Sequence, residues 1–378
     1  MADIGIRGLG LVSSYGLGVA PAVAGMRAGR AGITPLTQFS LPFKDPIQVN
    51  EFDHSRFPPG AEGIAAAIET AVQEALAEAS LDPGALRDAA LVLGTSSFLF
   101  AGEAQYRHIL ASRGESVLPA LAPPGSVALR VAGDLGIQGP VLTLSTACSS
   151  SANALLVASA LLRRGEARYA LVIGVEGLSI GALSGFHALM LLDAQGCRPF
   201  DAQRRGMQLG EGVGVVLLEA DGRGDRLLGG ANLCDTHHMT SATPDGSAMR
   251  MVMEMALTDA GLRAQDVALI KAHGTGSLDN DTAEAAAMHS LFGAQIPPFT
   301  AIKRYVGHTL GACGAIELAA FLGCLRAGFV PPTAGFTHAD SALGVTPLTE
   351  VQAAPSGPVM LNFFGFGGNY ASLLLTHG

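Results

Sequence analysis

The chain has 378 residues, a formal net charge of −9 and no lysine- or arginine-rich run, which excludes a nucleic-acid footprint. Hydrophobic residues make up 49% and charged residues 15%, with no stretch polar enough to serve as a linker. This points to one compact body with large buried sheets, and to an oligomer that hides further surface.

The five cysteines, Cys148, Cys197, Cys234, Cys313 and Cys324, include no Cys-x-x-Cys pair and fit a reducing compartment better than a disulfide framework. The N-terminal residues lack a secretory pattern and no uncharged apolar run reaches 18 residues, so we read the chain as cytoplasmic.

Short runs rich in Val, Ile and Leu alternate with alanine-rich segments of helical period, which predicts an α/β fold. In chain order, residues 64–79 read as a helix, 90–94 (ALVLG) and 141–146 (VLTLST) as buried strands, and 150–164 as a helix. Strands follow at 169–175 and 213–219.

Beyond about residue 225 the grammar restarts, with helices at 249–260 and 314–328 and strands at 268–272 and 358–364. The order strand, chemistry-bearing residue, small-residue helix ending in Arg and Gly occurs twice. We read an internal duplication into two α/β halves, 1–225 and 226–378.

Cys148 follows a predicted strand and precedes a predicted helix. Unpaired N–H groups and the positive end of the helix dipole favour a thiolate there. On the residues alone, an inert buried cysteine remains the alternative.

His273, in Ala272-His273-Gly274-Thr275, and His308, in Gly307-His308-Thr309, each sit where a strand gives way to a turn. The three residues lack short metal-ligand spacing, so no metal is expected. His237 and His238, taken as strand neighbours, would point to opposite faces and share none. In Gly365-Phe366-Gly367-Gly368 the glycines would let Phe366 swing and free a backbone N–H for an oxyanion. Gly210-Glu211-Gly212 lacks a phosphate-loop lysine and reads as structural.

These motifs, with Arg198-Pro199-Phe200-Asp201, His238-Met239-Thr240-Ser241 and Lys303, occur in an order that resembles the elongating β-ketoacyl-acyl carrier protein synthases of type II fatty-acid and polyketide synthesis. The resemblance runs over nearly the whole chain. It implies a thiolase-like five-layer αβαβα fold, usually a homodimer, with a heterodimer with a related subunit as the variant.

The resemblance further implies that Cys148 takes an acyl group from a phosphopantetheine thioester, with the N–H groups of Cys148 and Phe366 as the oxyanion hole. His273 and His308 would promote decarboxylation of malonyl-acyl carrier protein and stabilise the enolate that attacks the Cys148 thioester. Lys303 and Glu317 look like a supporting pair. Thr275 and Ser277 match positions that hold the pantetheine arm, Thr240 is a further substrate-binding candidate, and Asp281 and Glu284 match structural acids.

Ser97, Phe98 and Phe100 stand where relatives line the acyl tunnel. No cofactor is bound by the chain itself, because the phosphopantetheine belongs to the acyl carrier protein.

The segment 55–67, where relatives present several basic residues to the carrier, holds only Arg56. Docking by other basic residues such as Arg107, Arg113, Arg204 or Arg205, or a specialised carrier, is the substitute, and a specialised polyketide or polyene pathway stands beside fatty-acid synthesis. The alternative function, a chain-length-factor-like subunit without catalysis, sits poorly with retention of Cys148, both histidines and Lys303.

Overall fold

The structure, a computed structural model, describes residues 3–41, 43, 46–96 and 125–378. Ten strands carry the architecture. The first five are β1 (Ile4–Ser13), β2 (Ala90–Gly94), β3 (Val141–Leu144), β4 (Tyr169–Glu176) and β5 (Gly212–Ala220). The second five are β6 (Arg226–Cys234), β7 (Leu269–Lys271), β8 (Phe299–Thr300), β9 (Val359–Phe364) and β10 (Asn369–Thr376).

They lie in the order β3-β2-β4-β5-β1 and then β6-β10-β9-β7-β8. Adding five to each strand number of the first block gives the second block in reverse. The pairing sense repeats as well. Strand β2 is parallel to β3 and β4, while β4–β5 and β5–β1 are antiparallel. Strand β7 is parallel to β8 and β9, while β9–β10 and β10–β6 are antiparallel. The fold is therefore a duplicated one, and among the described strands the two blocks of the sheet pair where Ile4 and Gly5 of β1 meet Leu227 and Arg226 of β6.

Among the described residues, eight helices longer than one turn complete five layers: α1 (Val19–Arg27), α2 (Ala61–Ala79), α3 (Ser126–Leu135), α4 (Ser150–Arg163), α5 (Ile180–Ala188), α6 (Ser247–Ala260), α7 (Leu278–Phe292) and α8 (Cys313–Arg326). Helices α2 and α3 cover the outer face of the first block, α6 and α7 the outer face of the second, and α4 and α8 fill the space between.

The central strands therefore bury both faces. Leu91 and Leu93 of β2 pack outward beneath α2 while Ala90 and Val92 pack inward. Met360 and Phe364 of β9 pack outward while Val359, Leu361 and Phe363 pack inward. That is why these strands read as unbroken apolar runs rather than as alternation.

In α8 every residue from Cys313 to Leu325 is buried, as a helix apolar all round demands, and Glu317 is its one internal charge. A Cβ on Gly314 would strike the backbone of Ser151 and Ala152 on α4, so the two central helices cross at backbone contact. The helices begin two or three residues earlier than expected at Ala61 and Ser247, and α8 stops at Arg326. Among the described residues no helix is long and apolar enough to cross a membrane.

Candidate active site

Cys148 and His308 lie just ahead of the N-terminal ends of the central helices α4 and α8, and His273 lies ahead of the outer helix α7. After β3 the chain turns sharply through Ala147, whose φ of +51° is rarely adopted outside glycine. Side chains hold that turn. Ser150 Oγ donates to the Ala147 carbonyl at 2.6 Å and accepts from the Thr146 N–H at 2.9 Å. Asn153 Nδ2 donates to Thr146 Oγ1 at 2.8 Å. Cys148 is thereby raised to the start of α4 and faces a cavity that His273, His308, Thr275 and Phe366 also line.

Two backbone N–H groups, from Phe366 and from Cys148 itself, address the Cys148 sulfur. Gly365 lies against this pair: a Cβ there would sit 3.0 Å from the Cys148 nitrogen and crowd the hole. Phe366 stacks on Phe186 of α5, with ring centroids 5.4 Å apart and planes at 9°.

Burial pushes the Cys148 thiol up to about 11, against the pull of the Phe366 N–H and the Lys303 cation. The thiolate expected from the helix terminus alone is therefore not the resting state. Desolvation of a sulfur in the middle of the protein outweighs the N–H groups that favour its anion.

His273 and His308 are both buried, with ring centroids 5.4 Å apart and planes at 86°. Burial, assisted by Lys303 and Lys271, holds both imidazoles well below the ordinary histidine pKa, so each is neutral. The His273 turn is fixed by Glu284, which accepts the N–H groups of His273 at 2.8 Å and Gly274 at 2.9 Å. Asp281 accepts those of Phe200 at 2.7 Å and Gly276 at 3.2 Å. Burial raises both acids, Glu284 to about 7.

Glu317 does pair with Lys303, at 2.5 Å, but it is shared: Lys271 reaches its other oxygen at 2.5 Å and also donates to the Asn362 carbonyl at 2.8 Å. All three side chains are buried. Burial opposes charge throughout this triad. Its neighbours nonetheless raise Lys303 and lower Glu317, whereas Lys271 is lowered.

Thr275 and Ser277 are buried on the cavity wall with their hydroxyls 2.9 Å apart, and Thr240 lies nearer the mouth. Ser97, Phe98, Phe100, Arg107 and Arg113 fall outside the described residues.

The family model described as "Beta-ketoacyl synthase, N-terminal domain" matches residues 1–222, and that described as "Beta-ketoacyl synthase, C-terminal domain" matches residues 226–337. The chain belongs to the β-ketoacyl synthase family. It is 32% identical over 401 aligned residues to Nodulation protein E of Rhizobium meliloti (strain 1021), covering 97% of each chain. It is 30% identical over 403 to the chloroplastic 3-oxoacyl-[acyl-carrier-protein] synthase I of Arabidopsis thaliana, covering 96% of this chain and 84% of that one. The solved ishigamide ketosynthase/chain length factor superposes with a TM-score of 0.90 at 28% identity, over 100% of this chain and 99% of the other. This member is a condensing enzyme of the acyltransferase class.

Three residues of the synthase site escape the motif reading. Lys271 is visible only as a lysine within an apolar strand. Glu176, at the end of β4, accepts the N–H of Ser96 at 2.8 Å and of Gly311 at 3.0 Å, tying the two halves beside the site. Cys313 looks like one more small residue of a buried helix, yet its sulfur lies 3.1 Å from His308 Nδ1.

Two expectations are corrected. Arg204 is buried and paired with Asp340 at 2.7 Å, so it is not a docking residue, whereas Arg205 is exposed at the cavity mouth. His237 and His238 lie in a loop after β6 rather than on a strand, because the ladder with β10 ends at Cys234.

Proposed function

We propose that the enzyme joins a Cys148-bound acyl group to malonyl-acyl carrier protein with loss of carbon dioxide, and that Cys148, His273 and His308 carry the steps. One observation carries this reading: Cys148, the Gly365–Phe366 turn packed against its N–H, and two buried imidazoles with ring centroids 5.4 Å apart line one cavity.

In acylation, the Cys148 sulfur attacks the thioester carbonyl and its proton leaves with the carrier's thiol. The oxyanion forms against the N–H groups of Cys148 and Phe366. A malonyl thioester then enters, and its carboxylate departs as carbon dioxide. The electron pair left behind becomes an enolate whose oxygen accepts from one ring N–H of each histidine. Neutral histidines can donate in this way, and two donors spread the charge. The enolate carbon attacks the Cys148 thioester, the new carbon–carbon bond forms, and Cys148 leaves as a thiolate that takes up one proton from water, replacing the one lost with the first carrier's thiol.

Lys303 and Glu317 fix the charge behind His308. Thr275, Ser277 and Thr240 flank the path of the pantetheine arm. We infer no cofactor held by the chain itself, since that arm belongs to the carrier.

Exposed Met190, Met239 and Leu278 rim the mouth beside Arg205, which makes no ion pair among the described residues. Asp279 is exposed on the same rim, so Arg205 and the apolar side chains, rather than a basic patch, would meet an acidic carrier that inserts a thiol-bearing arm. We place the dimer contact at β3, the end of its sheet, where Leu142 and the nearby Leu129 are exposed. The partner is a second copy or a related synthase subunit. A cytoplasmic setting and a specialised polyketide or polyene product complete the reading.

The decisive test is mass spectrometry of products from a panel of saturated and unsaturated acyl carriers with malonyl carrier. A product two carbons longer with a new keto oxygen supports condensation. Transfer of acyl groups without lengthening overturns it.

A further inference from the structure

We propose that Cys313 is a positioning residue for the condensation, one that fixes the tautomer of His308. The sulfur lies at the first turn of α8, fully buried, among three polar groups. Lys303 Nζ is 3.4 Å away, Thr309 Oγ1 3.7 Å and His308 Nδ1 3.1 Å.

The hydrogen bonds follow from what each group is able to do. An ammonium has donors and no acceptor, so Lys303 donates to the sulfur, and the Thr309 hydroxyl is also directed at it. The thiol has a single hydrogen. Of the two acceptors the described residues place within reach of it, His308 Nδ1 at 3.1 Å is nearer than Thr309 Oγ1 at 3.7 Å, whose hydroxyl is already directed at the sulfur. An Nδ1 that accepts leaves the imidazole proton on Nε2, because a neutral ring carries one. His308 lines the cavity, so the proton is presented on the side where an enolate oxygen would form.

Glu317 completes the chain by anchoring Lys303 at 2.5 Å, with Lys271 on its other oxygen. The lysines and the glutamate thus reach His308 through a sulfur rather than by touching the ring. The direction of donation is set by Lys303, which is unable to accept.

This inference rests on the proposed role of His308, and the tests separate the two. Cys313→Ala should lower kcat for condensation about tenfold, the rate equivalent of one net hydrogen bond, with KM for the malonyl carrier unchanged. Acylation of Cys148 should keep its rate. Cys313→Ser, which restores a donor and an acceptor, should recover most of the loss. A parallel fall in acylation and condensation, or no rescue by serine, would mark a merely structural residue and overturn the proposal.

Imidazole nitrogen NMR of ¹⁵N-histidine enzyme, assigned with His308→Asn, reads the tautomer directly. A proton on Nε2 in the wild type, giving way to a mixture in Cys313→Ala, is the expected result; a proton on Nδ1 in the wild type overturns the proposal. If His308→Ala condenses at the wild-type rate, the functional reading of His308 fails and the proposal with it. If His308→Ala is inactive but Cys313→Ala is not slowed, the proposal alone fails.

Discussion

His273 and His308 meet edge to face inside the protein, 5.4 Å between ring centroids, and each is kept neutral by burial and by the lysines behind it. Their folded pKa lies below the unfolded value, so protonation is resisted well past pH 6.5. Decarboxylation of malonyl carrier should therefore hold its rate as pH is lowered through 6.5. A rate that halves near 6.5 in a kcat profile would show that a histidine titrates normally there. The unfolded chain, by contrast, takes up these protons near 6.5, so the histidines' share of stability declines below that pH.

Cys148→Ala should reduce chain extension by at least about a thousandfold, as loss of a nucleophile does when the rest of the site remains. With malonyl carrier withheld, intact-protein mass spectrometry of the wild type should find one acyl group, and peptide mapping should place it on Cys148. An acyl group on another residue removes Cys148 from the role.

Because burial raises the free thiol to about 11, iodoacetamide should modify Cys148 faster with each step in pH from 7 to 10. A rate already level at pH 7 would mean that the start of α4 outweighs burial after all.

The Lys271–Glu317–Lys303 triad holds two cations and one anion without solvent. Glu317→Gln strands both lysines and should cost about 3–5 kcal/mol in urea unfolding, the usual effect of removing one partner of a buried pair. Lys271→Met leaves the neutral Lys303–Glu317 pair and should cost far less. Equal losses in the two variants would contradict this division of charge.

Glu284 runs the other way from the histidines. Its carboxyl is raised by burial from the ordinary glutamate value to about 7. Between pH 4.5 and 7 the folded state holds a proton that the unfolded chain has lost, so wild-type stability from this group falls as pH rises. Glu284→Gln lacks that loss, and its stability relative to wild type should improve from pH 4.5 to 7. Parallel unfolding midpoints across that range would show an ordinary carboxyl.

The duplicated α/β halves were legible because both faces of the central strands are buried and α8 is apolar throughout. The strand-to-helix position of Cys148 was legible for the same local reason. What escaped depends on distance in sequence. Lys271 joins Glu317 across 46 residues and Glu176 joins Gly311 across 135. Cys313 acts through a contact that a helical period does not reveal. The burial that raises the Cys148 thiol was not legible, because a turn announces a helix terminus but not the depth at which it lies.

Cys148 and His308 face one cavity ahead of the two central helices, and those helices cross at backbone contact, which leaves that wall little room to hinge. A catalyst without a hinge has to be visited rather than closed. The long travel therefore falls to the tethered thioester, which threads in with the acyl unit, withdraws and returns with the malonyl unit. Turnover should answer to the length and grip of that tether more than to any domain motion of the protein.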